Sequence, residues 1–202
     1  MTEIWELLSK GGIVMIPLML TSVIGLAVVI ERAFFLKRRR ILNPELIKII
    51  EKGNTADDVA QSLEKMQEQD NAFIRIVQTA LRNRRASKDE IKEAMIDQGR
   101  QEARIMERGL VVLETVAGIS PLLGLLGTVL GMIKVFQVIS EQGLGQTQSL
   151  SGGISEALIT TVFGLSIAIP ALIAYNYFNH KVEDLILDIE KYSARLLEKV
   201  IN

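Results

Sequence analysis

Few side chains in the two long uncharged runs of this chain, 115–133 (TVAGISPLLGLLGTVLGMI) and 157–180 (ALITTVFGLSIAIPALIAYNYFNH), could handle a proton. They are chiefly the hydroxyls of Ser120, Thr128, Thr160, Thr161 and Ser166, with one acid, Glu156, at the entrance to the second run. An acid inside hydrocarbon is costly and usually marks an ion path. Glu156 has a second reading, as an anion in the first turn of its helix, where the macrodipole favours negative charge. Thr128 and Thr161 also have two readings. A transmembrane threonine often bonds only its own i−4 carbonyl, whereas two of them near glycines can form a shared polar seam. At 100° per residue Thr160 lies about 40° from Glu156 and Thr161 about 140° away. One narrow stripe cannot hold both, so a common lining needs a wide lumen or an intersubunit position. Glu114, at the start of the first run, is a candidate acid for a cytoplasmic exit. No Asp occurs between Asp97 and Asp184, so a mid-membrane carboxylate would have to come from another chain.

Other chemistries find no foothold. The chain has no cysteine and a single histidine, His180, which rules out thiol chemistry and a histidine cluster. No nucleophile triad or phosphate-cradling loop is evident, so neither an enzyme nor a metal or cofactor site is expected. Gly124, Gly127, Gly131 and Gly164 lie inside the apolar runs with Pro121 and Pro170. Glycines there let helix backbones approach closely, and a proline is tolerated as a kink.

The elements that must position these residues follow from composition. The chain has 202 residues, 49% of them hydrophobic, and a formal net charge of −1, which argues for no nucleic-acid partner. A third uncharged run, 11–30, completes a set of three, each close to the roughly 20 residues that cross a bilayer. Acids Glu3 and Glu6 precede it and Lys37-Arg38-Arg39-Arg40 follow it, which favours a retained span over a cleaved leader. The fold class expected is an all-α membrane protein with three transmembrane helices in a lipid bilayer. Basic residues cluster in 37–108 and after Lys181, and none lies between Lys134 and Lys181. The positive-inside rule therefore puts the N-terminus outside and the C-terminus in the cytoplasm.

The resulting organisation is an outer N-terminus (1–10), a first span (11–36) and a cytoplasmic helical segment and stalk (37–108). A second span (109–140), an outer loop (141–153), a third span (154–180) and a cytoplasmic C-terminal helix (181–202) complete it. Within 41–86 we expect short amphipathic helices, capped at Thr55 and punctuated at Asn71. Ser87-Lys88-Asp89-Glu90 reads as a capping box. From it one helix should run to about Ser140, ended by Gly143 and Gly145, a rod of roughly 75–80 Å. The last helix should start near Ile154. Its apolar stripe (Val182, Leu185, Ile186, Ile189, Leu196, Leu197, Val200) needs the 88–110 stalk or a neighbouring subunit as partner. Arg32 is expected to snorkel beside Glu31, and Lys134 to snorkel outward.

The segments SPLLGLLGTVLGM (120–132) and GGISEALITTVFGLSIAIPALIAYN (152–176) strongly resemble the MotA/TolQ/ExbB proton-channel family, in its three-span ExbB/TolQ branch, and IERAFFL (30–36) resembles the end of that family's first span. The resemblance covers about half the chain. It implies a homopentameric ring around a central pore, lined by the second and third spans. Single-span ExbD- or TolR-like partners, each with a membrane Asp, would sit inside, and a TonB- or TolA-like protein would receive the work. By resemblance Thr128 and Thr161 are the polar lining, Glu156 the acid of the third-span motif, and Pro121 the proline of the second span. Ser120 stands where Ala is commoner, and Glu114 precedes the motif where an apolar residue is more typical. The transported ion implied is the proton. A TolQ-like role in envelope integrity, or a non-conducting oligomeric scaffold, remains an alternative to ExbB-like uptake.

Overall fold

A computed structural model of the chain describes residues 11–52, 55–66, 71–142 and 147–201. The described residues are helical, with no strands among them. In chain order the helices are α1 (Met15–Phe35), α2 (Arg38–Ile41), α3 (Pro44–Glu51), α4 (Ala56–Lys65), α5 (Ala72–Arg82), α6 (Lys88–Glu107), α7 (Leu110–Gln142) and α8 (Thr147–Ile201). Three helices are long and apolar enough to cross a membrane. Contacts divide the chain into two units, one of residues up to Glu31 with Gly109–Asn176, the other of Arg32–Arg108 with Tyr177–Asn202.

In the first unit, α1 packs on the hairpin of α7 and α8. Val14, Met15 and Leu18 are buried against Leu123, Leu130, Phe163 and Ile167. Opposite faces of the hairpin remain apolar and exposed, at Leu122, Leu125, Leu158, Val162 and Ile173 among others. Lipid or neighbouring helices can cover such faces without a hydration cost. Helix α7 runs through Pro121, and α8 through Pro170.

In the second unit the expected caps are present. Thr55 and Ser87 each accept from the backbone N–H three residues on, while Asp58 and Glu90 return the bond to the cap residue's own N–H. Asn71 caps α5, and Asn43 caps α3 with Pro44 in the first helical position. Past these caps, α3 buries Leu46 and Ile50, and α5 buries Phe73, Ile76 and Val77.

Two helix boundaries differ from expectation. The single helix foreseen from Ser87 to about Ser140 is two, α6 and α7. Gly109 adopts φ 111°, a conformation that needs the missing Cβ, and Arg108 turns out of the helix with ψ 109°. Helix α7 restarts with Val112 and Leu113 N–H groups donating to the Gly109 carbonyl. The last helix begins at Thr147 rather than near Ile154, so it claims part of the segment read as a loop. Gly143, Gly145 and the N-terminal ten residues lie outside the described residues.

Part of the apolar stripe of α8 faces the stalk, where Ile186, Ile189 and Leu197 line a cavity with Met95, Ile96 and Met106 of α6. Other residues of α8 meet the short helices. Tyr192 meets Phe73 edge-on, with ring centroids 6.2 Å apart. Arg38 pairs with Asp188 at 2.9 Å, Arg195 with Glu51 at 3.2 Å, and Lys199 donates to the Ile50 carbonyl. Arg32 does not snorkel. It is buried, and its guanidinium donates to the Met106 carbonyl at 3.3 Å, in the last turn of α6, where a cation complements the helix dipole.

Candidate functional site

Helices α7 and α8 meet along a seam of glycines. A methyl built on Gly164 would lie 2.6 Å from the Ser120 carbonyl oxygen, and one on Gly124 would lie 3.0 Å from that of Thr160. On Gly131 it would lie 2.9 Å from both the Gly153 carbonyl oxygen and the Ala157 Cβ, and on Gly127 it would overlap the Thr160 side chain. The four glycines expected to pack do so, and backbone meets backbone where a side chain would otherwise stand.

The hydroxyls lie in this seam. Thr128 Oγ1 has two acceptors, the Gly124 carbonyl at 3.2 Å and the Ala157 carbonyl at 3.0 Å on the facing helix. It is also hydrogen-bonded to Thr161 Oγ1, which reaches the Gly124 carbonyl at 3.3 Å. The i−4 bond of Thr128 therefore coexists with the interhelical pairing, and both sequence readings hold at once. Thr160 differs: it is fully buried, and its hydroxyl donates to the Ala157 carbonyl at 2.9 Å. Buried against Gly127, Thr160 packs the two helices together. Ser120 is buried as well, donating to the Val116 carbonyl at 2.7 Å.

Glu156 is not in the first turn of its helix, since α8 starts nine residues earlier. Its countercharge is Lys134, whose Nζ lies 2.5 Å from Glu156 Oε1. The first-turn reading of Glu156 thus gives way to an ion pair between α7 and α8, made with a half-exposed Lys134. Gly12, at φ 66°, lies against the same carboxylate, because a methyl there would collide with it. Glu114 is exposed on α7. Among the described residues no group of three or more His, Cys, Asp or Glu side chains could hold a metal ion.

Hydroxyls thus pair across a glycine seam between two apolar helices, and one acid, Glu156, pairs with Lys134 across the same two helices. A family model described as the MotA/TolQ/ExbB proton channel family matches residues 64–191. The chain belongs to that family. Among its relatives within the family, an ExbB-like biopolymer transport protein of Synechocystis sp. is 34% identical over 173 residues, covering 83% of this chain and 81% of that protein. The biopolymer transport protein ExbB of Neisseria meningitidis serogroup B is 28% identical over 203 residues, covering 94% and 91%. The Tol-Pal system protein TolQ of Haemophilus influenzae is 42% identical over 82 residues, covering 41% and 36%. Family membership and the three apolar helices make this a multi-pass inner-membrane protein of the ExbB/TolQ branch.

Sequence reasoning missed Lys134 as a partner of Glu156. It also missed the Arg75–Glu102 pair of the second unit, at 2.6 Å, in which only the carboxylate is buried.

Proposed function

We propose that the chain is the pore-forming subunit of a motor driven by the proton-motive force, acting as a homopentamer around single-span partners of the ExbD/TolR kind. The observation that carries the reading is the Thr128–Thr161 pairing in the glycine seam, in a chain whose two central spans hold no Asp. A carrier carboxylate, supplied by the partner, would cross this wall neutralised by its proton, since a buried charge is costly and a protonated acid is not. Each proton brings about 2.3 kcal/mol per 100 mV of potential, comparable to the contacts a partner helix exchanges in shifting along the wall. Thr128 and Thr161 supply the polar contact in mid-span, Glu156 with Lys134 the charged contact toward the outer face, and Glu114 a carboxylate toward the cytoplasmic exit. The N-terminus lies outside and the C-terminus in the cytoplasm, as the distribution of Lys and Arg favours.

The output is the energising of a TonB-like protein for outer-membrane transport. Likeness to ExbB proteins over most of the chain, 94% of it for the Neisseria meningitidis protein, supports this reading. Proton flux into vesicles holding the chain and its single-span partner tests the proposal. Flux is expected with the intact partner and lost when the partner's membrane Asp is replaced. Assembly without flux would make the chain a non-conducting scaffold.

A further inference from the structure

A cavity of about 510 Å³ opens in the second unit where α1 ends, with Phe35, Arg39, Arg40, Arg75, Glu102 and Ile105 in its lining. Its charges are unequally engaged. Glu102 is 2% exposed and takes both Nε and Nη2 of Arg75, at 2.7 and 2.6 Å, with Gln98 Nε2 donating at 2.8 Å. That carboxylate is saturated by its neighbours. The Arg39 and Arg40 guanidinium groups are exposed and make no ion pair or hydrogen bond among the described residues. The lining thus holds two unengaged forks suited to a phosphate ester, beside apolar Phe35 and Ile105.

The place of the cavity along the chain narrows the ligand. Phe35 lies five residues past Ile30, the last residue of the first uncharged run, or about 7.5 Å along a helix. The headgroup layer is roughly 5–8 Å deep on each side of the hydrocarbon core, so Phe35 stands at its depth, and Arg39 and Arg40 follow four and five residues on. Phe34, exposed on the same helix end, carries the apolar surface toward the core.

We propose that this cavity binds the phosphate of an anionic phospholipid headgroup, the glycerol and first methylenes lying on Phe35 and Ile105. The proposal rests on the reading that α1 spans the membrane. The shared chemistry is a phosphate ester anion, and a free phosphate is the other source of it.

The test uses the full chain, purified in neutral detergent and titrated with phosphatidylglycerol or phosphatidylcholine, with bound lipid counted by native mass spectrometry. The wild type should prefer phosphatidylglycerol. Replacing both arginines, Arg39→Gln with Arg40→Gln, should weaken that binding about thirtyfold. Arg39→Lys with Arg40→Lys keeps the basic count that sets topology and should fall between the two. Lys37→Gln with Arg38→Gln, outside the cavity, should leave binding unchanged. An equal loss in that control would assign the effect to diffuse surface charge and overturn the site. Equal binding of the two lipids, or displacement of phosphatidylglycerol by inorganic phosphate, would overturn it as well. Wild-type chain recovered outside the membrane fraction would remove the spanning reading itself, a separate result.

Discussion

The Lys134 ammonium lies 2.5 Å from the Glu156 carboxylate and joins α7 to α8. Lys134 is half exposed and Glu156 is 20% exposed, so the pair gains less than a buried one. Lys134→Met and Glu156→Gln should each lower hairpin stability by about 1 kcal/mol. The exchange Lys134→Glu with Glu156→Lys should recover most of that loss in thermal melts in detergent. Function should suffer more from Glu156→Ala than from Glu156→Gln if hydrogen bonding matters more than titration. Undiminished activity in both would remove Glu156 from the path.

The hydroxyl pair makes a different prediction. Thr128→Ala with Thr161→Ala should abolish motor-dependent uptake while leaving the oligomer assembled, because the glycine seam around them is untouched. Size-exclusion profiles and uptake assays on the same variant separate these outcomes, and wild-type uptake would sink the assignment of the two threonines.

Glycine positions along α7 and α8 should divide sharply. Gly164→Ala pushes a methyl against the Ser120 carbonyl and Gly124, at 2.6 and 3.1 Å, and should cost about 1–3 kcal/mol as overpacking. A methyl on Gly118 meets nothing within 4 Å. Gly118→Ala should be neutral or stabilising by up to about 1 kcal/mol, from helix propensity. Melting temperatures of the two variants side by side check this.

In the second unit, Glu102→Ala leaves the Arg75 guanidinium partly buried with its carboxylate gone. A loss of about 2–4 kcal/mol is expected, below the value for a wholly buried pair because Arg75 keeps some exposure. The double variant Arg75→Met with Glu102→Met should sit closer to wild type, which a double-mutant cycle would show.

At the start of α6, hydrogen bonds from the Ser87 backbone N–H and then its hydroxyl hold the Glu90 carboxyl below its ordinary value of 4.5. A depressed folded value means the cap contributes above pH 4.5 and is lost as pH falls through the folded value. Amide exchange in the first turn of α6 should therefore accelerate on acidification. Ser87→Ala, which keeps the backbone donor and loses the hydroxyl, should weaken that pH dependence, and Glu90→Gln should remove it.

The spans, the caps and the short amphipathic helices were legible because each is a local pattern of period, hydroxyl and acid. The pairings across the α7–α8 hairpin were not, although they follow a simple rule. Thr128 lies fourteen residues before the end of α7 and Thr161 fourteen after the start of α8. Lys134 and Glu156 lie eight and nine residues from the same ends. Antiparallel helices oppose residues at matching distances from their facing ends, so everything depends on where those ends lie. Reading 141–153 as loop moved the start of α8 by seven residues and hid every cross-helix partner. The Gly109 break was hidden for another reason, since a lone glycine in a helical pattern costs only about 1 kcal/mol and is often tolerated.

The bonding of Thr128 and Thr161 has a further consequence. Two hydroxyl hydrogens are shared among two carbonyls and the two hydroxyl oxygens themselves. In one arrangement Thr161 donates to Thr128, which donates to Ala157. In the other Thr128 donates to Thr161, which donates to Gly124. Both satisfy both hydroxyls, and no heavy atom moves between them. The polarity of the pair is reversible, set by whichever neighbour speaks first.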